Sequence, residues 1–235
     1  MLRDTAIREL DHEPDFTWRG QNVTRIENLS DIVFALAFGM LVASSAPPAT
    51  FTELVDFLIA IVPVTAAFYL LVMIWSTHYT FFRRYGIVDN HVIVLNAILL
   101  FVVLYLAFPL RFAFDSFFGY VLLALGHPER VDAMGVSLER SGLIMGFFAA
   151  GYLVVQLLFS GLYAHALRLK ASLSLSPREI ALTRRTVAMT LVMSALACIV
   201  GLLAVFTDAN GFAGFLINIG WPLNWVVNHL IKLPD

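Results

Sequence analysis

Charge is what this chain has least of. Asp, Glu, Lys and Arg make up 14% of its 235 residues, where a soluble domain carries roughly 25%. With 60% hydrophobic residues and a mean hydropathy of +0.82, the deviation exceeds what a buried core explains. The medium around the chain must itself be apolar. Cysteine is nearly absent. Cys198 stands alone in an apolar run, which excludes an internal disulfide and a thiolate metal site. It reads as a small residue facing lipid or a neighbouring helix. The first 25 residues lack the apolar stretch of a cleavable leader and read as a flexible cytoplasmic tail, with room for a short amphipathic helix before Pro14. The net charge is −2 and the basic residues are scattered, so there is no nucleic-acid-binding patch.

Catalytic patterns are missing too. Neither G-x-S-x-G nor H-E-x-x-H occurs, and His78, His91, His127, His165 and His229 have no ligand spacing. Asp31 and Asp56 fall on different helices near opposite faces and cannot form a dyad. The chain therefore reads as neither an enzyme nor a cofactor-binding protein.

What is present is a succession of apolar runs. A helix needs about 20 such residues to cross a bilayer, and six segments qualify: about Thr24 to Ser45, Thr52 to Phe81, Val88 to Phe112, Ser141 to Ala166, Arg185 to Phe206 and Gly211 to Ile231. The last is interrupted by Pro222 and three asparagines. The runs are continuous rather than alternating, which excludes membrane strands and requires helices. The expected fold is an all-α integral membrane protein with six transmembrane helices.

Basic residues set the orientation. Arg3, Arg8, Arg19, Arg25, Arg83, Arg84, Arg168, Lys170, Arg178, Arg184, Arg185 and Lys232 fall on one side of six alternating spans; Arg111, Arg130 and Arg140 fall on the other. The positive-inside rule then puts both termini in the cytoplasm of a cell-membrane protein. The chain divides into a tail (1–23), a first three-helix group (24–112), an extracytoplasmic connection (113–140) and a second three-helix group (141–235). The stretch Phe117–Leu125 reads either as an interfacial helix or as an extension of the third span. Gly146, Ala150, Gly151 and Gly161 make small-residue faces for packing helices or subunits.

Polar residues within spans are costly and invite a functional reading. The first helix opens with Arg25-Ile-Glu27-Asn28-Leu29-Ser30-Asp31; its carboxylates also suit simple capping of a helix N-terminus. The second closes with Trp75, His78 and Phe81-Phe82-Arg83-Arg84, which also suits an interfacial aromatic belt. The third holds Asn96, then Phe108-Pro109.

Taken together these elements resemble the transmembrane protein 175 family. R-x-x-x-L-S-D at Arg25–Asp31 is similar to that family's R-x-x-x-F-S-D signature, with Leu29 in place of the usual Phe. The resemblance continues through IVFALAF, the Trp75/His78 cluster, Asn96 and Phe108-Pro109, and so covers about Arg25 to Pro109. Gly39-Met40 stands where members commonly have Thr and an aliphatic residue. The resemblance implies a potassium-permeable channel without the TVGYG filter, which this sequence also lacks, assembled as a homotetramer in a lipid bilayer around the first helix of each subunit. It places the pore constriction at Leu36 and Met40. Spacing along the helix makes Leu36, Met40 and Ala43, with Ile32 or Val33 one turn earlier, one apolar stripe with an outer mouth near Ala43 and Ser44, although any lipid-facing helix has such a stripe. Ile32, Gly39 and Ala43 are the expected pore-lining residues. Arg25, Ser30, Asp31, His78 and Asn96 are expected to form a polar network that fixes the pore helix. A small secondary transporter, broken at Pro63, Pro109 and Pro222 around a midplane site, and a proton-leak pathway using His78 are the competing readings.

Overall fold

The computed structural model describes residues 15–43, 47–127, 129–135 and 137–234. The segment before Pro14, Ser44 and the side chain of Phe108, all of which carry expectations above, lie outside the described residues. The described residues contain helices and no strand. They are α1 (Arg25–Ala43), α2 (Phe51–Ile59), α3 (Ile61–Tyr85), α4 (Asn90–Ala124), α5 (Glu129–Met134), α6 (Leu138–Arg168), α7 (Pro177–Phe206), a 3-10 segment (Asn210–Ile219) and α8 (Gly220–Leu230).

Local chemistry sets most of the boundaries. Thr24 and Glu27 form a reciprocal cap at the start of α1: the Glu27 carboxylate accepts from the Thr24 N–H (2.9 Å) and hydroxyl (2.8 Å), and Thr24 Oγ1 accepts from the Glu27 N–H (3.3 Å). Asp89 caps α4 by accepting from the Val92 N–H at 2.9 Å. Ser176 and Glu179 make a full capping box for α7, with Pro177 at its first position. Gly86 ends α3 at φ +61°, and a Cβ there would also press on Arg19 and Gly20.

The second, third and fifth expected spans have different bounds, the fifth beginning at Pro177 rather than Arg185. The second is divided at Ala60 into α2, which buries no residue, and α3. Pro63 has no N–H to offer the Ile59 carbonyl, so the helical ladder is cut there. The third runs through Pro109 to Ala124, which makes the extension, rather than a separate interfacial helix, the form of Phe117–Ala124. Arg111, counted from sequence with a connection, is a buried residue of α4 and donates to the Val42 carbonyl at the end of α1 (3.2 Å). A cation at a helix C-terminus is a favourable placement.

Among the described residues, five stretches are long and apolar enough to cross a membrane: Arg25–Ala43, Ile61–Tyr85, Asn90–Ala107, Arg140–Arg168 and Pro177–Phe206. The expected sixth is not one regular helix. Its 3-10 half is anchored by the Gly211 N–H on Ser141 Oγ (3.0 Å). Its α8 half is held where Arg185 donates to the carbonyls of Ile231 (2.7 Å) and Asn228 (2.8 Å). The segment thus runs back beside α7.

Small residues bring α6 and α7 together. A Cβ on Gly142 would meet the Ala204 carbonyl oxygen at 2.2 Å, and one on Gly146 would meet Val205 Cγ2 at 2.4 Å. Gly151 and Gly161 face Leu106 and Leu95 of α4. Gly146, Gly151 and Gly161 therefore pack helices within the chain, while Ala150 is exposed. The main core is aromatic where α3, α4, α6 and α7 meet: Phe81, Phe82, Tyr85, Phe159 and Tyr163 are all buried, and the Tyr85 hydroxyl bonds Thr183 Oγ1 at 2.7 Å.

Candidate pore helix and its polar anchor

Helix α1 has two unlike faces. Glu27, Ser30, Phe34, Ala37 and Leu41 are buried against α3 and α4 at intervals of three and four residues. The opposite face carries Arg25, Leu29, Ile32, Leu36, Gly39 and Ala43, all exposed on the single chain. Ile32 is 66% exposed and Leu36 53%. Gly39 has nothing within 4 Å of where a Cβ would stand. Met40 is half-buried and borders a side groove with Phe101, Tyr105, Pro109 and Phe147. At 3.6 residues per turn it lies roughly 80° round the helix from Ile32, on the flank of the stripe rather than along its centre.

The inner face is fixed by a directional chain of hydrogen bonds. Ser30 Oγ donates to the Ile26 carbonyl at 2.8 Å. Asn96 Nδ2 of α4 donates to Ser30 Oγ at 3.0 Å. Asn96 Oδ1 lies 2.7 Å from His78 Nε2 of α3. With the amide nitrogen committed to Ser30, the oxygen must accept, so His78 carries its proton on Nε2. Ser30, His78 and Asn96 are each 2% exposed or less, and each group in the chain finds a partner, as buried polar groups require. The His78 ring is framed by Phe34 (5.5 Å between centroids) and Phe82 (4.8 Å). One polar residue from each of three helices thus sets how α1 is rotated.

The remaining expected members stand elsewhere. Asp31 is exposed and accepts from Trp75 Nε1 at 3.0 Å, a second tie between α1 and α3. Arg25 faces outward and has no ion pair among the described residues. The arginine that does stand beside a carboxylate of α1 is Arg83, 3.3 Å from Glu27, and neither residue belongs to the expected network. The reason is geometric: Arg25 projects from the face opposite Ser30, whereas Arg83 reaches from the end of α3 toward the buried side of α1.

Sequence reasoning also missed what Arg19 and Gly20 do. The stretch read as a flexible tail is, over residues 15–22, a docked strap. Its Phe16 is buried against Tyr85. The Arg19 and Gly20 N–H groups both donate to the Arg83 carbonyl at 3.1 Å, and the Arg83 guanidinium donates back to the Gly20 carbonyl at 2.7 Å. A Cβ on Gly20 would sit 2.2 Å from the Phe82 carbonyl oxygen. On its other side Arg19 grips Glu179 of α7 with two bonds of 2.9 and 3.0 Å and donates to the carbonyls of Leu173 and Ser174. A polar relay therefore runs from Glu179 through Arg19 and Arg83 to Glu27 on α1. The signal in the sequence was the reciprocal spacing of Ser176 and Glu179, which marks the cap but not the distant arginine that shares it.

Near the same end, His165 Nε2 lies 2.7 Å from Asp89 Oδ2. Burial alone would raise the Asp89 carboxyl, but the Val92 N–H, the His165 side chain and the His91 N–H more than offset this and hold it below its usual range. No group of three or more His, Cys, Asp or Glu among the described residues is arranged to hold a metal ion.

The sequence profile of the family described as Endosomal/lysosomal potassium channel TMEM175 matches residues 25–106, the stretch that contains α1, the Ser30–Asn96–His78 chain and the Trp75–Asp31 tie. A potassium channel of Marivirga tractuosa is 35% identical over 187 residues, covering 77% of this chain and 74% of that protein. The crystal structure of a variant of the potassium channel MtTMEM175, in complex with a nanobody–MBP fusion protein, matches with a TM-score of 0.78 and 33% identity over 93% of this chain and 97% of that one. The lysosomal potassium-selective channel TMEM175 homolog from Chamaesiphon minutus is similar in fold, with a TM-score of 0.50 and 21% identity over 87% and 97% of the two chains.

Proposed function

This chain belongs to the TMEM175 family of potassium channels, and we propose that it is a potassium-permeable channel of the cell membrane, in which four copies of α1 surround one axial passage. The observation that carries this reading is the division of α1 into a face locked by Ser30, Phe34, Ala37 and Leu41 and a face of Ile32, Leu36, Gly39 and Ala43 that none of the described residues covers. In the tetramer the second face meets its copies. Leu36 forms the narrow collar; Ile32 and Ala43 line the passage on either side; Gly39 leaves room or offers a backbone carbonyl. Met40 joins the constriction by swinging inward from its flank, which its unbranched, flexible side chain allows.

An apolar collar admits ions by the cost of stripping water, and it gates by dewetting. Potassium holds its hydration shell less tightly than sodium, so the collar favours potassium, and only modestly. The polar chain behind α1 does not touch the ion: it sets the rotation that points Leu36 at the axis. Arg25, on the open face, stands at the cytoplasmic mouth of the passage.

In this reading the 3-10 segment and α8 together make the sixth crossing. Ten residues at about 2.0 Å and eleven at about 1.5 Å reach roughly 36 Å, enough for a core of about 30 Å. Both termini are then cytoplasmic, on the side of the strap and of most arginines.

Purified protein in a planar bilayer tests the function. Unitary currents with a reversal potential biased toward the potassium equilibrium value are expected. Substrate-coupled flux without unitary currents would replace the channel by a transporter.

A further inference from the structure

Between the first and second helix groups lies a cavity of about 330 Å³ that the pore reading does not use. Its walls come from α3, α4, α6, α7 and the 3-10 segment, represented by Leu70, Leu110, Ala113, Met145, Val200 and Ile217. Two lining residues carry polar side chains apart from the backbone. The Tyr152 hydroxyl is hydrogen-bonded to Gln156, and the Asn218 amide donates to the Phe215 carbonyl at 3.0 Å. No charged residue among the described ones lines it. Such a space gives water too few of the two to four partners it needs, and it offers a cation nothing to bind. Left empty, its walls would forfeit dispersion contacts over their whole inner surface. It is also more than twice the roughly 150 Å³ of an apolar cavity that stays dry and takes up a benzene-sized guest.

The shape and setting select the occupant. On α4 the lining runs from Val103 to Phe117, about 21 Å along a helix axis at 1.5 Å per residue. The cavity is thus a slot along a membrane-spanning helix rather than a round chamber. Of its lining residues Asn218 is exposed and Ile217 half-buried, so the slot opens to the surface at the 3-10 segment. Beside them on that segment Phe215 (43% exposed) and Ile219 (45%) make an outward apolar rim. In a protein embedded in a bilayer, the apolar matter at such a rim is acyl chains.

We propose that this slot binds one acyl chain of a bilayer phospholipid, inserted between α4 and the 3-10 segment as a structural ligand. The chain supplies the dispersion contacts the walls lack and braces a segment that is not a regular α-helix. Its headgroup remains outside, because the slot has no cation to receive a phosphate. The proposal rests on the membrane-spanning reading and is independent of where the ion path lies.

The test uses the full chain in phosphatidylcholine–phosphatidylglycerol vesicles that contain a trace of phosphatidylcholine with a mid-chain diazirine. After irradiation, peptide mass spectrometry should find adducts on slot residues such as Met145, Phe114 and Tyr152, besides the ordinary adducts at outward-facing Phe101 and Trp221. Ala113→Phe fills the slot, and its adducts there should fall about tenfold while those at Phe101 and Trp221 persist, since an overpacked space excludes the chain. Adducts confined to outward-facing residues in the wild type would overturn the proposal, whatever the variant does. So would slot adducts that Ala113→Phe leaves unchanged in a correctly assembled protein. Slot labelling by a diazirine fatty acid but not by the phospholipid would assign the slot to free amphiphiles instead. Currents recorded from the same vesicles report on the channel separately, so the two readings fail independently.

Discussion

Asn96 donates an amide N–H to Ser30 and accepts from His78 on its amide oxygen, at 3.0 and 2.7 Å, and so ties α1 and α3 through one side chain. Neither contact reaches the open face of α1, yet both decide which residues that face presents.

Replacing the hub should therefore cost stability before it changes permeation. Asn96→Leu strands the Nε2–H of His78, and Ser30 loses its donor. A loss of about 1–2 kcal/mol is expected, typical of hydrogen bonds between membrane helices. It is measurable as a lower melting temperature in detergent. An unchanged melting temperature would mean that the chain of bonds does not anchor the helix.

Leu36→Ala tests the collar. A wider ring should raise single-channel conductance about two- to threefold and weaken the preference for potassium over sodium, since less water is stripped on passage. Unaltered currents would put the constriction elsewhere. Met40→Ala should act in the same direction and more weakly, given its flank position.

Asp31 separates anchoring from selectivity. Asp31→Ala removes the acceptor of Trp75 Nε1 and should reduce tetramer yield or open probability while leaving the ion preference alone. Asp31→Asn keeps an acceptor oxygen and should restore most of the loss. Normal assembly and conductance in Asp31→Ala would remove the role assigned to the Trp75 tie.

The strap offers a protease assay. Glu179→Ala leaves Arg19 without its bidentate partner; Glu179 is buried and Arg19 partly so. Breaking a fully buried pair costs about 3–5 kcal/mol, and roughly 2 kcal/mol is expected at this partly exposed one. Trypsin should then cut after Arg19 many times faster than in the wild type. Equal cleavage rates would show that residues 15–22 are held by other contacts.

Asp89 carries a pH signature. Its carboxyl is held below its usual range, so the bonds to Val92 and His165 stabilise the fold while it is ionised. That stability is present above the ordinary carboxylate value of about 4 and is lost as pH falls through the lower folded value. Asp89→Ala should lower stability by about 1 kcal/mol near neutrality, as loss of a helix cap does. The gap from wild type should close only in acid below about pH 4. A gap independent of pH down to 3 would contradict this assignment.

Apolar runs and helical spacing made the helices and the open stripe of α1 readable from sequence, because both are short-range patterns. The joint use of Ser30, His78 and Asn96 was readable only through resemblance, since the three come from separate helices. The pairing of Glu27 with Arg83 was not legible, because Arg83 is far in sequence and reaches Glu27 only once α1 and α3 are packed. The extension of α4 past Pro109 was left open for a similar reason. Pro109 and Arg111 look like the end of a span, and a partner that Arg111 finds inside the fold, the Val42 carbonyl, is distant in sequence. The strap was illegible because a polar, mixed-charge stretch has no periodicity, and its order depends on partners more than 150 positions away.

The 3-10 segment makes the end of the chain behave like a drawn-out spring. Ten residues wound as an α-helix would be about 5 Å shorter than they are here. One end is pinned at Ser141 and the other hangs from the Arg185 guanidinium. Tightening that coil would have to pull Asn228 and Ile231 off Arg185 or lift Gly211 off Ser141, so its pitch and its two fastenings can change only together.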